Sequence, residues 1–441
     1  MNIYENMTFK KLFKIALPSI FMMILMSLYT IVDGIFISRY IGSDALSSLN
    51  IVYPVINIVI AIGMMLATGG NAIISKKLGE ENEEQARSAL SMFVFVGFIL
   101  GIILIVLVES QLTKLSLLLG ASEKLLENCN RYLSMMMFFA PATILQTLFQ
   151  SYFVTANRPS LGLALSVISG IVNVFLDAFF ILKLNLGISG AALATGIGQM
   201  IPAIVGLYFF FFNQDELYFV KFKMNFGLLK EACYNGMSEM VSQLSGAVMT
   251  FLFNIVLMYF IGEKGVAAIT ILLYVEFLFN AFYLGFSIGI SPIVGYKFGA
   301  KQKDELKLIY KTSFIFVIIS SFILTIISLL SMKVLVGILT QDQETYLITI
   351  SAFKIFAFNF LFSGFNITSS GFFTALSNGK VSAIISFCRM FLFTCGAIII
   401  LSMIFKVTGT WLAVPVAEFL TCIVSLKYHQ HYFLRNSAEY L

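Results

Sequence analysis

Histidine, tryptophan and charge are what this 441-residue chain has least of. The only two histidines, His429 and His431, sit together near the C-terminal end. A membrane-embedded hydrolase or acyltransferase needs nucleophile–base or metal-ligand sets inside its spans, and both histidines here are terminal. The five cysteines (129, 233, 388, 395 and 422) lie within or beside apolar stretches and form no CxxC pair. That spacing argues against a disulfide framework and against a structural metal site. Charged residues make up 12% of the chain, too few to coat a water-soluble domain of this length. The net charge of +5 is explained better by membrane topology than by a nucleic-acid partner.

What is present in excess is apolar: 59% of the residues are hydrophobic. A run of about 20 such residues suffices to cross a bilayer as a helix. Twelve spans fit, at 15–40, 46–74, 88–110, 125–155, 160–182, 188–212, 230–261, 265–295, 308–331, 345–376, 381–404 and 408–430. The expected fold is therefore an all-α polytopic membrane protein of twelve transmembrane helices. The fourth, seventh and tenth spans are long, which predicts tilt. Pro18 and Pro141 are candidate kinks. The start, "MNIYENMTFKKLFKIALPSI", has no small-residue cleavage site, so the first run is expected to stay as a helix.

Lysine and arginine set the expected orientation. With the N-terminus and alternate loops placed in the cytoplasm, 18 of the 28 Lys and Arg fall on that side, 9 on the other, and Arg389 inside a span. The bias predicts a multi-pass protein of the inner (plasma) membrane with both termini cytoplasmic.

The chain also repeats itself. Sliding it along itself by half its length sets "YIGSDALSSLNI" (40–51) against "FIGEKGVAAITI" (260–271), and "TGGNAIISKKLGEEN" (68–82) against "IGISPIVGYKFGAKQ" (288–302). At almost the same offset "TANRP" (155–159) faces "LSNGK" (376–380), and "GAALATGIGQ" (190–199) faces "GTWLAVPVAE" (409–418). Each repeat holds an even number of spans, so both run the same way through the bilayer. The expected architecture is two six-helix lobes, residues 1–219 and 228–441, related by a pseudo-twofold axis along the membrane normal. Residues 220–227, "VKFKMNFG", form the linker. Secondary transporters are commonly built so.

Of 23 acidic residues, five lie well inside spans: Asp33, Asp177, Glu239, Glu276 and Glu418. An ionised Asp at mid-helix costs about 2.5–3.5 kcal/mol on insertion scales, so such residues are functional by default. At about 1.5 Å per residue, Asp33 lies about 28 Å and Asp177 about 26 Å from the cytoplasmic face, and Thr195 about 12 Å in from the outer one. Asn173 and Asp177 are one turn apart on one helix face, as are Ala191 and Thr195 on the next helix. Two carboxylates, an amide oxygen and a hydroxyl at one depth suit a hard cation. Equally, two close carboxylates suit a single shared proton. The repeat places Phe253, Ile398 and Val414 opposite Asp33, Asp177 and Thr195, so the cluster belongs to the N-terminal half alone. Glu239, Glu276 and Glu418 lie nearer mid-depth, either lining a cavity that attracts cations or pairing with Arg389. Met26 and Gln146 are further candidate cavity residues, methionine being suited to varied ligands.

Six blocks in order carry a family resemblance: "DGIFISRYIG" (33–42), "IISKKLGEEN" (73–82), "NVFLDAFFI" (173–181), "LGISGAALATGIGQ" (186–199), "SPIVGYKFGAKQ" (291–302) and "GTWLAVPVAE" (409–418). Over nearly its whole length the chain resembles the multidrug and toxic compound extrusion (MATE) transporters, in particular the bacterial branch of MepA- and DinF-like exporters. The resemblance implies two six-helix lobes arranged as a V around a central cavity. It implies antiport by alternating access, in which a cationic or amphiphilic organic compound leaves as Na⁺ or H⁺ enters. The family's cation site carries over to Asp33, Asn173, Asp177 and Thr195, with the Ala191 carbonyl as a further ligand. No cofactor is implied, and a monomer in the lipid bilayer is expected, not an enzyme. Three departures stand out: Ala178 where a proline commonly follows the Asp, "GMSE" (236–239) at the start of the seventh span, and no clear counterpart of the C-lobe acid pair of the sodium-coupled branch. A flippase for lipid-linked oligosaccharide precursors, from the same superfamily, is the alternative. It is disfavoured by twelve spans and a single in-span arginine.

Overall fold

The computed structural model describes residues 9–435, and among these every regular element is helical. The termini, 1–8 and 436–441, with their expected cytoplasmic placement, lie outside the described residues. The N-terminal half contains α1 (Phe9–Tyr40), α2 (Ser43–Gly79), α3 (Glu83–Glu109), a short α4 (Leu112–Leu118), α5 (Glu123–Phe138), α6 (Ala140–Thr155), α7 (Pro159–Asp177) and α8 (Gly187–Phe212). The C-terminal half contains α9 (Phe226–Phe260), α10 (Glu263–Gly299), α11 (Lys303–Leu339), α12 (Gln343–Phe356), α13 (Phe360–Ala375), α14 (Gly379–Phe387) and α15 (Gly396–His429).

The helices start where short polar side chains can accept from orphan backbone N–H groups. Asn82 caps α3 through the Gln85 N–H, Asn225 caps α9 through Leu228, Asp342 caps α12 through Thr345, and Asn378 caps α14 through Val381. They break where the backbone cannot continue regularly. α5 and α6 meet at 52°, with Pro141 at the start of α6, where its missing N–H costs nothing. A 3₁₀ turn, Ala357–Asn359, separates α12 from α13, and the Asn359 amide donates to the Phe356 carbonyl there.

Ten helices among the described residues are long and apolar enough to cross a membrane, and the bent pair α5–α6 makes an eleventh. One of the ten runs from Gly379 to Phe433, 55 residues. As one rod it would be about 82 Å long, far beyond the ~30 Å of a bilayer core. Lys406, with φ 52° and ψ −128°, interrupts it between the two spans expected at 381–404 and 408–430.

Burial follows the logic of an apolar solvent. Leu330, Met403, Val106 and Phe211 are among the most exposed side chains, while Ser48, Ser245, Asn71, Asn366 and Thr421 are almost completely buried. Between helices in lipid, small and hydrogen-bonding residues are what favour contact. The two halves meet along α2–α9, α1–α10 and α2–α10. Gly79 lies against the Tyr296 carbonyl and Gly299 against the Lys76 carbonyl, and a Cβ at either glycine would overlap that oxygen. The two contacts are reciprocal, each the repeat counterpart of the other. Asn71 likewise donates at 3.2 Å to Ser291 Oγ, its own counterpart in the second repeat.

Helix α1 is shared. Its first turns (Leu12, Ile15, Ala16, Ile20) join a core built from α10, α11 and α13. Further along, it packs against α7.

Candidate functional site

Small residues bring α7 and α8 together. Ser169 Oγ donates to the Gly198 carbonyl at 2.7 Å, and a Cβ on Gly198 would press on the Ser169 carbonyl. This close crossing aligns one face of each helix. Asn173 Nδ2 donates to Thr195 Oγ1 at 3.3 Å, with Ala191 one turn from Thr195 and fully buried. Asp177 closes α7, and the chain then widens into a π-helical turn, Ala178–Lys183. Such turns recur at functional sites because they re-aim side chains within a helix.

Asp33, from α1, completes the group, and its carboxyl interacts directly with that of Asp177. Asp177 is 2% exposed and Asn173 not at all. Three oxygens here, Asp33 Oδ1, Asn173 Oδ1 and Asp177 Oδ1, are buried without a hydrogen-bond partner. Buried acceptors are ordinarily satisfied, so three orphans in one cluster form a cradle suited to a positive charge. Oxygen donors of this kind suit Na⁺ or a proton. Among the described residues no group of three or more His, Cys, Asp or Glu could hold a metal ion.

Tyrosines missed by sequence reasoning surround the acids. Tyr29 acts on Asp33, Thr195 and Asp177, while Tyr53, Tyr132 and Tyr274 each act electrostatically on Asp33. Tyr29 lies one helical turn before Asp33, hence on its face of α1, which is a signal the sequence did contain.

The C-terminal half is organised differently. Arg389 Nε donates to Glu418 Oε1 at 2.6 Å. Asn366 Nδ2 donates to Glu418 Oε2 at 2.7 Å and to the Glu418 carbonyl at 2.9 Å, and Ser425 donates to Asn366 Oδ1. Glu276 Oε1 accepts from Asn280 Nδ2 at 3.4 Å, with Asn280 held in turn by Ser363. Arg389 lies in a second π-helical turn, Cys388–Cys395.

Between the halves lies a small, partly open pocket. Met64 with Leu284, Asn71 with Ser291 and Ser151 with Gly371 line it, each pair related by the offset of the repeat, and Glu239 is its one charged group. Glu276, Glu418, Met26 and Gln146 do not line this pocket. Met26 accepts from Gln150 Nε2 through its sulfur at 3.0 Å, and Gln146 Oε1 is buried without a partner.

Residues 18–179 and 240–413 match the family model MatE. The chain is 24% identical over 434 residues to the multidrug export protein MepA of Staphylococcus aureus (strain NCTC 8325 / PS 47), covering 96% of this chain and 93% of that one. It is 21% identical over 431 residues to the MepA of Staphylococcus saprophyticus, with the same coverage. Among solved structures it is similar to a MATE protein in complex with MaL6, with TM-score 0.91, 21% identity and 96% of each chain covered. A multidrug resistance MATE family transporter of the MOP superfamily in its outward-facing conformation superposes with TM-score 0.90 at 20% identity, covering 96% of this chain and 95% of that one.

Proposed function

The chain belongs to the MatE family, an integral membrane transporter and not an enzyme, and from that premise we propose that it exports organic cations and amphiphiles, drugs included, by cation-coupled antiport. The family relatives named multidrug export proteins support the cargo class. The observation that carries the coupling is the set of three orphaned, buried oxygens on Asp33, Asn173 and Asp177. In the charged state these groups take up Na⁺ or H⁺ from outside, with Thr195 and the Ala191 carbonyl completing the set. Neutralisation then removes the cost of holding two carboxylates together in an apolar place and favours the state in which α1 moves. The coupling holds only if the cation binds the two conformations with different affinity.

The proposed architecture is twelve spans, with Gly379–Phe433 counted as two on either side of Lys406 and α5–α6 as one. They form two lobes, 1–219 and 228–441, joined by 220–227 and related by a pseudo-twofold axis along the membrane normal. The protein acts as a monomer in the plasma (inner) membrane with both ends in the cytoplasm and needs no cofactor. The tight glycine contacts at Gly79 and Gly299 lie beside Lys76, Lys77 and Lys297, the lysines assigned to the cytoplasmic side, which supports a state closed towards the cytoplasm.

Reconstituted vesicles test the reading by ethidium efflux under imposed Na⁺ or H⁺ gradients. Gradient-driven efflux by the wild type is expected from one ion or both. Asp177→Asn and Asp33→Asn should each abolish the gradient dependence, and unchanged driven efflux in both variants would refute the coupling site. Flipping of a lipid-linked sugar with no transport of any cationic dye would overturn the export reading itself.

A further inference from the structure

Three carboxylates of the C-terminal half lie inside the spans, and the structure commits two of them. Glu418 is taken by Arg389 and Asn366, and Glu276 by Asn280. Glu239 has no hydrogen-bond donor or ion-pair partner among the described residues, and it borders the open pocket between the halves. Arg389 acts on it only from a distance, being paired with Glu418. Among the described residues no basic side chain lines that pocket, and its remaining walls are apolar (Met64, Leu284, Ile288) or neutral and polar (Thr68, Asn71, Ser291). The repeat counterpart of Glu239 is Ser19, buried at 1% exposure and absent from the lining. The negative charge is therefore one-sided and single.

An unshared carboxylate among otherwise uncharged walls complements a guest with one delocalised positive charge on an apolar body, as in a quaternary ammonium or phosphonium ion. Such an ion leaves water cheaply and needs a counter-charge but no hydrogen-bond acceptor, which is what Glu239 offers. We propose that Glu239 is the residue that selects for a single positive charge on the exported compound, separately from the ion-coupling acids Asp33 and Asp177. The proposal rests on the export reading above and adds to it the residue that reads the cargo's charge.

The test is equilibrium binding of tetraphenylphosphonium and of neutral triphenylphosphine oxide to the purified full chain, compared between wild type, Glu239→Gln and Glu239→Asp. Glu239→Gln should weaken phosphonium binding about tenfold or more, the scale of losing a desolvated charge partner, and leave the neutral compound unchanged. Glu239→Asp keeps the charge and should retain most of the preference, which covers the case in which the glutamine variant is poorly folded. An unchanged ratio of cation to neutral binding in Glu239→Gln would overturn the proposal, as would an equal loss of both ligands. Failure of the wild type to bind or export any organic cation would instead sink the export reading.

Discussion

Asp177 and Glu418 are both deeply buried carboxylates, 2% and 3% exposed, yet their surroundings are opposite. The Glu418 carboxylate has a permanent counter-charge in Arg389 and accepts a bond from Asn366. Asp177 faces a second acid, and one oxygen of each is left without a donor. A buried acid with a fixed cation is a finished structural element, since removing either partner strands the other. A buried pair of acids without one is suited to take up a cation or a proton. The contrast separates acids that hold the fold from acids suited to exchange an ion.

The comparison breaks most sharply at Asp177. Asp177→Asn should lower gradient-driven efflux at least about 100-fold while leaving the thermal midpoint of the purified protein unchanged or higher, because a buried charge is removed. An intact efflux rate would place the two clusters in one class. Arg389→Met should do the reverse, lowering stability by about 3–5 kcal/mol in a denaturation series by leaving Glu418 unpaired. Adding Glu418→Gln should restore most of that loss, and a double variant as unstable as the single one would refute the pairing argument. Gly79→Ala tests the join between the halves. It should raise labelling of Cys233 by a cytoplasmic-side maleimide about threefold, with the other four cysteines replaced by serine, as the added methyl presses on the Tyr296 carbonyl.

The smallest effect is expected outside the bilayer. Lys264, with Thr345, holds the Asp342 carboxyl below its usual range. Because the folded value is the lower one, the stability this group contributes is present above the ordinary value of 3.8 and is lost as pH falls through the folded one. The difference in melting temperature between wild type and Asp342→Asn should therefore be small at pH 7 and shrink below pH about 3.8.

The N-terminal cluster was legible because helix geometry is regular. A fixed rise per residue puts Asp33, Asp177 and Thr195 at one depth, and a fixed twist puts Asn173 on the face of Asp177. The tyrosines were not read, although Tyr29 shares the face of Asp33, and Tyr53 and Tyr274 stand at nearly equivalent positions of the two repeats. The partner of Arg389 was less accessible still. Glu239, Glu276 and Glu418 were equal candidates by depth, and which one meets Arg389 depends on how α15 turns against the π-helical segment. The breaks followed the same division. Pro141 marked the bend between α5 and α6, whereas nothing in "FAFNF" (356–360) announces the 3₁₀ turn before α13.

The sharing of α1 between two cores has a mechanical consequence. Ala16 is locked against Gly289, where a Cβ on the glycine would meet the Ala16 Cα, while Asp33, further along the same helix, meets Asp177 of the N-terminal half. The two anchorages are about 26 Å apart along one helix. A rod clamped at both ends to different bodies transmits displacement in either direction. A displacement at Asp33 would be carried along α1 to the seam at Gly289, and one at the seam back to Asp33.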